Sequence, residues 1–330
     1  MSDTSTSPGR RFPVLLKQAL KALVALTILA LLFRRYDLRL VFRHAAHISP
    51  GYLALAWLSG FLAMLTFAHM QTRIFRPLDC GAGTRLLLKI QYQQRFYALF
   101  LPGGTAALVK WYKLAKPSGK PGLTLALMAF MRILSLGSIA VITAAAILAD
   151  ATFPWPQARW TTALVAALVF LTPLWLLSDA ARPLRARLER LVRLPQRLRD
   201  RTEALAEYPR AIRSLNSRDL VFIYLLSAVS QVCYILQQAF CAYAIGVHLD
   251  VLTFAWLRTV VALCSNLPIT VAGLGLREVS LVAFLAYYHI PEAQAIAYSL
   301  LFFAAFPFLR GVIGGVLEVI DAWRAPAARA

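Results

Sequence analysis

Acidic residues are scarce in this chain: 15 Asp and Glu stand against 35 Lys and Arg, and charges of both signs make up only 15% of 330 positions. That scarcity removes whole classes of function. There is no Asp-x-Asp pair for a metal-bound sugar nucleotide, no His/Asp metal cluster, no Ser/His/Asp set that the order of segments would bring together, and no phosphate-cradling nucleotide loop. Cysteine is sparse too. Cys80, Cys233, Cys241 and Cys264 lack paired metal-ligand spacing and fall in or near apolar runs, so they read as small apolar core residues. No catalytic residue, metal or cofactor is expected. The net charge of +20 suggests nucleic acid, but the bases sit between apolar runs rather than on a basic domain with interleaved aromatics, which excludes that partner.

What the chain has in abundance is apolar side chain: 59% of residues, with mean hydropathy +0.63, too apolar for a soluble domain of this size. The expected fold is all-α, a polytopic integral membrane bundle forming a single domain over 1–330. Runs at 14–33, 52–71, 123–149, 160–178, 220–245 and 293–320 approach the roughly 20 residues that cross about 30 Å of hydrocarbon. The first run is too long for a signal peptide and lacks a small-x-small cleavage site, so it is expected to stay as an anchor. The densest basic block, 181–219, belongs in the cytoplasm by the positive-inside rule, and counting spans from it puts both termini there as well. Leu184, Leu188, Leu191 and Leu198 give that block an apolar stripe suited to anionic lipid. The basic stretch 34–50 falls outside in this scheme, and its Leu38, Val41, Phe42 and Ala45 predict a short amphipathic helix on the outer surface.

Two segments, 86–122 and 251–291, depart from the pattern of simple spans and repeat one order of parts. An apolar helix leads to Leu-Pro, then small residues, then a base, then a second Pro that opens a long apolar helix. The breaks are Pro102, Gly103 and Gly104 in the first copy and Pro268, Gly273 and Gly275 in the second. A lone break of this kind is often a packing device. Recurring twice, with Pro removing a backbone donor and Gly relaxing the helix, it predicts re-entrant hairpins, which survive only when buried in protein or lining a polar cavity. Three spans lie between the copies, and an odd number inverts the second relative to the first, as in transporters built from inverted repeats.

The candidate substrate-binding residues follow from these breaks. Asn266 opens the second one, Arg277 brings a full charge to its helix start, and Glu278 either holds that Arg or neutralises it between cargo molecules. Lys110 is the corresponding base of the first hairpin; an interfacial cluster with Lys113 and Lys116 is the other reading. Arg132, about ten residues into its span, is expected to line the same cavity. Arg95 and Arg258 are further candidates, or meet lipid head groups. His69 reads as a satisfied core histidine, and Trp155, Trp160 and Trp323 as interfacial anchors.

The stretch "LPITVAGLGLREVSLVAFLAYYHIPEAQAIAYSLLF", residues 267–302, resembles the lysylphosphatidylglycerol synthase transmembrane-region family, in which Gly-x-Gly-x-Arg-Glu follows a proline-bearing break. Gly273, Gly275, Arg277 and Glu278 carry the match, supported by "FLPGGTAALVKWYKLAK" and by Arg132 in "MAFMRILSL". Family members often carry an acid after Gly-Gly in the first break and another just before the helix arginine; this chain has Thr105 and Met131 there, which implies a different head group. The resemblance implies a stand-alone lipid translocator of the bacterial inner membrane, without the soluble synthase domain that accompanies the family's best-known members. A phospholipid, glycolipid, hopanoid or polyprenyl-linked lipid is the cargo it points to, with a separately encoded lipid-synthesising enzyme as partner. Two other readings stand beside it: an integral-membrane enzyme acting on a lipid-linked substrate, with Glu278 as its only available base, and a scaffold presenting lipid to such an enzyme.

Overall fold

The computed structural model describes residues 48–101, 105–177, 217–265 and 276–324. They form an all-α membrane bundle. Among the described residues, four helices are long and apolar enough to cross a bilayer: Pro50–Ile74, Pro121–Ala149, Arg218–Tyr243 and Glu292–Arg324. In chain order the helices are α1 (Pro50–Ile74), α2 (Thr84–Phe100), α3 (Ala106–Ser118), α4 (Pro121–Ala149), α5 (Ala158–Leu177), α6 (Ser217–Tyr243), α7 (Val251–Ser265), α8 (Leu276–Ala286), α9 (Glu292–Phe303) and α10 (Leu309–Arg324). A π turn at Ala304–Phe308, around Pro307, joins α9 to α10. The expected spans at 52–71, 123–149, 220–245 and 293–320 correspond to α1, α4, α6 and α9–α10, and the run at 160–178 to α5. The anchor at 14–33, the amphipathic stretch 34–50 up to His47 and nearly all of the basic loop lie outside the described residues.

Local chemistry sets the helix ends. Pro50 and Pro121 occupy the first helical turns of α1 and α4, where a missing N–H costs nothing. α3 stops at Gly119, whose φ of +63° lets its N–H reach the Ala115 carbonyl at 3.0 Å. α2 stops at Leu101, which is extended (φ −90°, ψ 138°) because the ring of Pro102 excludes the helical region for the residue before it.

Long-range contacts give the bundle two distinct ends. α1 and α6 run antiparallel, tied at one end by the Ser49 N–H to the Ala244 carbonyl (2.8 Å) and at the other by Arg73 to Asp219 (2.5 Å). The Arg73 end is basic and ion-paired, with Lys113–Glu318 at 2.5 Å and a Lys89–Asp321 pair. The opposite end is aromatic: Trp155 packs on Tyr287 with ring centroids 4.9 Å apart and joins Phe153, Trp256 and Phe284. Asp150, at the end of α4, fastens this end. Its carboxylate accepts from the Thr152 N–H and hydroxyl (2.8 and 2.6 Å), the Thr253 hydroxyl (3.2 Å) and the Trp256 indole (3.1 Å).

Polarity is distributed inside out. Leu55, Leu58, Phe61 and Leu62 on α1 and Val221 and Leu225 on α6 are exposed, the face a lipid environment solvates. Gln71, Gln91, Gln93, Lys110, Gln237 and Arg310 are buried. Glycine brings the helices close enough to enclose them. A Cβ on Gly314 of α10 would overlap the Tyr92 carbonyl of α2, and Gly311 and Gly315 face Leu99 and Phe96, so α10 lies directly on the α2 backbone.

Candidate functional site

α2, α3, α7 and α8 contain 17, 13, 15 and 11 residues, so at about 1.5 Å per residue the longest covers about 25 Å, short of the hydrocarbon thickness. Beyond the end of α3, Lys120 donates to the Pro77 carbonyl (3.3 Å) and lies 3.5 Å from the Asp79 carboxylate, both just ahead of α2. α2 therefore begins, and α3 ends, at the basic end. Trp256 of α7 packs on Phe284 of α8 (6.0 Å) and on Tyr288 just beyond it (6.4 Å), which places the start of α7 and the end of α8 at the aromatic end.

Lys110 is the buried base of the first pair, only 2% exposed. Its ammonium donates to Gln71 Oε1 at 2.6 Å, stands 3.8 Å from Met131 Sδ, and lies 5.9 and 5.4 Å from the ring centroids of Phe67 and Phe75. No carboxylate pairs with it among the described residues. Met131 of α4 is thus the inward residue that touches Lys110. Lys113 does not join an interfacial cluster with it, being paired to Glu318. Arg132, expected in the same cavity, is exposed, because the helix turns about 100° per residue and Met131 takes the inward position.

A second cationic centre, which the sequence reading only partly anticipated, lies near the middle of the bundle. Arg310 is 5% exposed, donates to Gln237 Oε1 of α6 at 3.1 Å, and stacks at 5.3 Å from the Phe306 ring. Gly60 of α1 makes the room: a Cβ there would overlap both Arg310 Nη2 and Gln237 Oε1. Arg258 of α7 stands 5.1 Å from the Tyr234 ring, with a buried Nη1 that has no hydrogen-bond partner among the described residues. Arg95 of α2, exposed, comes in beside Arg310: its carbonyl lies 3.5 Å from where a Cβ on the neighbouring Gly311 would stand. The available signal for Arg310 was an arginine deep inside an apolar run, three residues after Pro307.

Arg277 and Glu278 sit in the first turn of α8, and their side chains lie outside the described residues. So do Asn266, Pro102, Gly103, Gly104, Pro268, Gly273 and Gly275, although the helix stops at Phe100 and Ser265 and restarts at Ala106 and Leu276, on either side of both breaks. His69, read as a core residue, is exposed; its Nδ1 lies 3.3 Å from the Thr84 hydroxyl and its ring meets Phe222. Among the described residues no three His, Cys, Asp or Glu side chains converge to hold a metal.

The sequence model described as Lysylphosphatidylglycerol synthase TM region matches residues 18–314. The chain belongs to this family. Curated proteins give no match. Membership ties this multi-pass membrane protein to membrane lipid, and it covers both broken helix pairs together with Lys110, Arg258, Arg277 and Arg310.

Proposed function

We propose that this protein moves a polar-headed lipid between the leaflets of the bacterial inner membrane, without chemistry on the cargo. The observation that carries the reading is Lys110, a buried ammonium whose described partners are one amide oxygen, a thioether and two aromatic rings. An uncompensated charge at membrane depth costs at least about 2.5 kcal/mol, and a fold retains it where a ligand completes it. The two short helix pairs support the rest. Each starts and ends at one end of the bundle, and the two do so at opposite ends, as expected of re-entrant hairpins in an inverted repeat whose breaks meet around the cargo.

In this reading Lys110 meets the head group, Arg277 and Glu278 remain its candidate partners from the sequence, and the acyl chains stay in the bilayer. The basic end faces the cytoplasm, by the positive-inside rule, and so do both termini. The test is translocation in proteoliposomes of fluorescent phosphatidylglycerol beside an uncharged lipid, comparing wild type with Lys110→Met and Arg277→Ala. Transport by wild type and its loss in folded variants upholds the reading. A lipid recovered chemically altered, with no transport, overturns it in favour of an enzyme.

A further inference from the structure

The translocator reading leaves the second cationic centre without a role. Arg258 of α7 stacks on Tyr234 and Arg310 of α10 donates to Gln237, one turn further along α6, while the Arg95 carbonyl of α2 lies 3.5 Å from where a Cβ on Gly311 would stand, so three different helices deliver cations to neighbouring positions. They grade inward: Arg95 is exposed, Arg258 half-buried, Arg310 buried. The surrounding groups are Tyr92, Tyr234, Phe306 and the amide of Gln237, and no carboxylate pairs with any of the three arginines among the described residues. Like charges gathered inside a membrane protein repel one another and are expensive to desolvate, so packing alone does not explain them.

The donor geometry says what would complete the site. A guanidinium offers five N–H groups in a planar fork; Arg310 gives one to Gln237, and the buried Nη1 of Arg258 has no acceptor among the described residues. Phosphate oxygens match such forks in a way a carbonyl or hydroxyl does not. Gly60 lets Arg310 Nη2 and its acceptor Gln237 lie directly against α1, which fixes the fork in place.

We infer that Arg258 and Arg310, approached through Arg95, bind a phosphate ester of net negative charge and make the carrier select anionic head groups over zwitterionic ones. The inference rests on the translocator reading for its lipid, and it narrows the cargo. A head group that carries its own ammonium brings a cation to a region that already holds three and, among the described residues, shows no carboxylate to receive it.

The experiment is direct binding, separate from transport. Wild-type protein in uncharged detergent is melted thermally against increasing phosphatidylglycerol, phosphatidylcholine or inorganic phosphate, since a ligand that binds only the folded state stabilises it by RT ln(1 + L/Kd) at free ligand concentration L, so the concentration at which melting begins to rise reports the affinity. Arg258→Gln and Arg310→Gln are compared with Arg324→Gln, which removes the same charge at the end of α10. Phosphatidylglycerol is expected to bind wild type and Arg324→Gln alike, and the two site variants roughly thirtyfold more weakly. Phosphatidylcholine is expected to be weak throughout. Stabilisation by inorganic phosphate that is lost in both site variants makes the ligand a free anion rather than a lipid, and overturns the selectivity role.

Equal affinity for the two lipids in wild type, or unchanged affinity in Arg258→Gln, also overturns the inference. Should Arg310→Gln fail to fold, Arg258→Lys decides: it keeps the charge, loses the fork, and is expected to lose affinity for phosphatidylglycerol. Transport without lipid selectivity sinks this inference and leaves the translocator reading standing. Selective binding without transport does the reverse.

Discussion

The Lys110 ammonium donates to Gln71 Oε1 at 2.6 Å, joining α3 to α1 across 39 positions of sequence inside an otherwise apolar wall. The amide nitrogen of the same Gln71 is buried without a partner, so the pair is incomplete on both sides. A thermal melt separates structural from functional roles here. Lys110→Met, which removes the charge and keeps the length, is expected to leave stability unchanged or raised, whereas Gln71→Leu strips Lys110 of its acceptor and costs about 1–3 kcal/mol.

Met131 allows the opposite manipulation. Its sulfur lies 3.8 Å from the Lys110 ammonium, within reach of a carboxylate placed at the same position. Met131→Glu should pair with Lys110 and weaken capture of an anionic head group, so transport of phosphatidylglycerol is expected to fall while the variant melts no lower than Lys110→Met. Faster transport would show that Lys110 does not meet the head group.

At the aromatic end, burial tends to raise the pKa of Asp150, but hydrogen bonds from Thr152, Trp256 and Thr253 outweigh it and hold the carboxyl below its ordinary value of about 3.9. With the folded pKa below the unfolded one, the unfolded chain binds more protons in that interval. The carboxylate's contribution to stability is therefore complete above about pH 4 and is lost as pH falls through the folded value. Asp150→Ala, which orphans the Trp256 indole, is expected to cost about 2 kcal/mol or more at neutral pH and to flatten the acid limb of the stability curve.

Gly314 gives a packing test. Gly314→Ala places a Cβ against the Tyr92 carbonyl, which is backbone and cannot step aside, so α10 must lift from α2 at a cost of about 1–3 kcal/mol. Gly51→Ala, with open space around its Cβ, is expected to be neutral or slightly stabilising. Equal melting of the two variants would mean that α2 and α10 are not in contact.

Sidedness tests the helix pairs. In a chain cleared of its native cysteines, Arg85→Cys and Lys116→Cys should react with an impermeant thiol reagent from one side of the membrane, and Val251→Cys and Ala286→Cys from the other. Reaction of Arg85→Cys and Lys116→Cys from opposite sides would make α2–α3 a simple crossing.

The sequence by itself determined the class of the protein, because lipid imposes a one-dimensional rule. A long apolar run must become a helix, and a Pro that follows one must end it, so α1, α4, α6, α9–α10 and the stops at Phe100 and Ser265 were legible without coordinates. Family membership was legible for a related reason, since Gly273, Gly275, Arg277 and Glu278 are adjacent in sequence. Which polar side chains meet is a different kind of information. Lys110 and Gln71, or Arg258 and Arg310, are brought together by the rotation of whole helices about their axes, and a turn of one residue is enough to put Arg132 outside and Met131 in. Arg310 was hidden in a run that hydropathy averages as apolar, and its burial depends on Gly60 and Gln237 on two other helices. Only tertiary packing decides such a centre, because its parts have no sequence spacing in common.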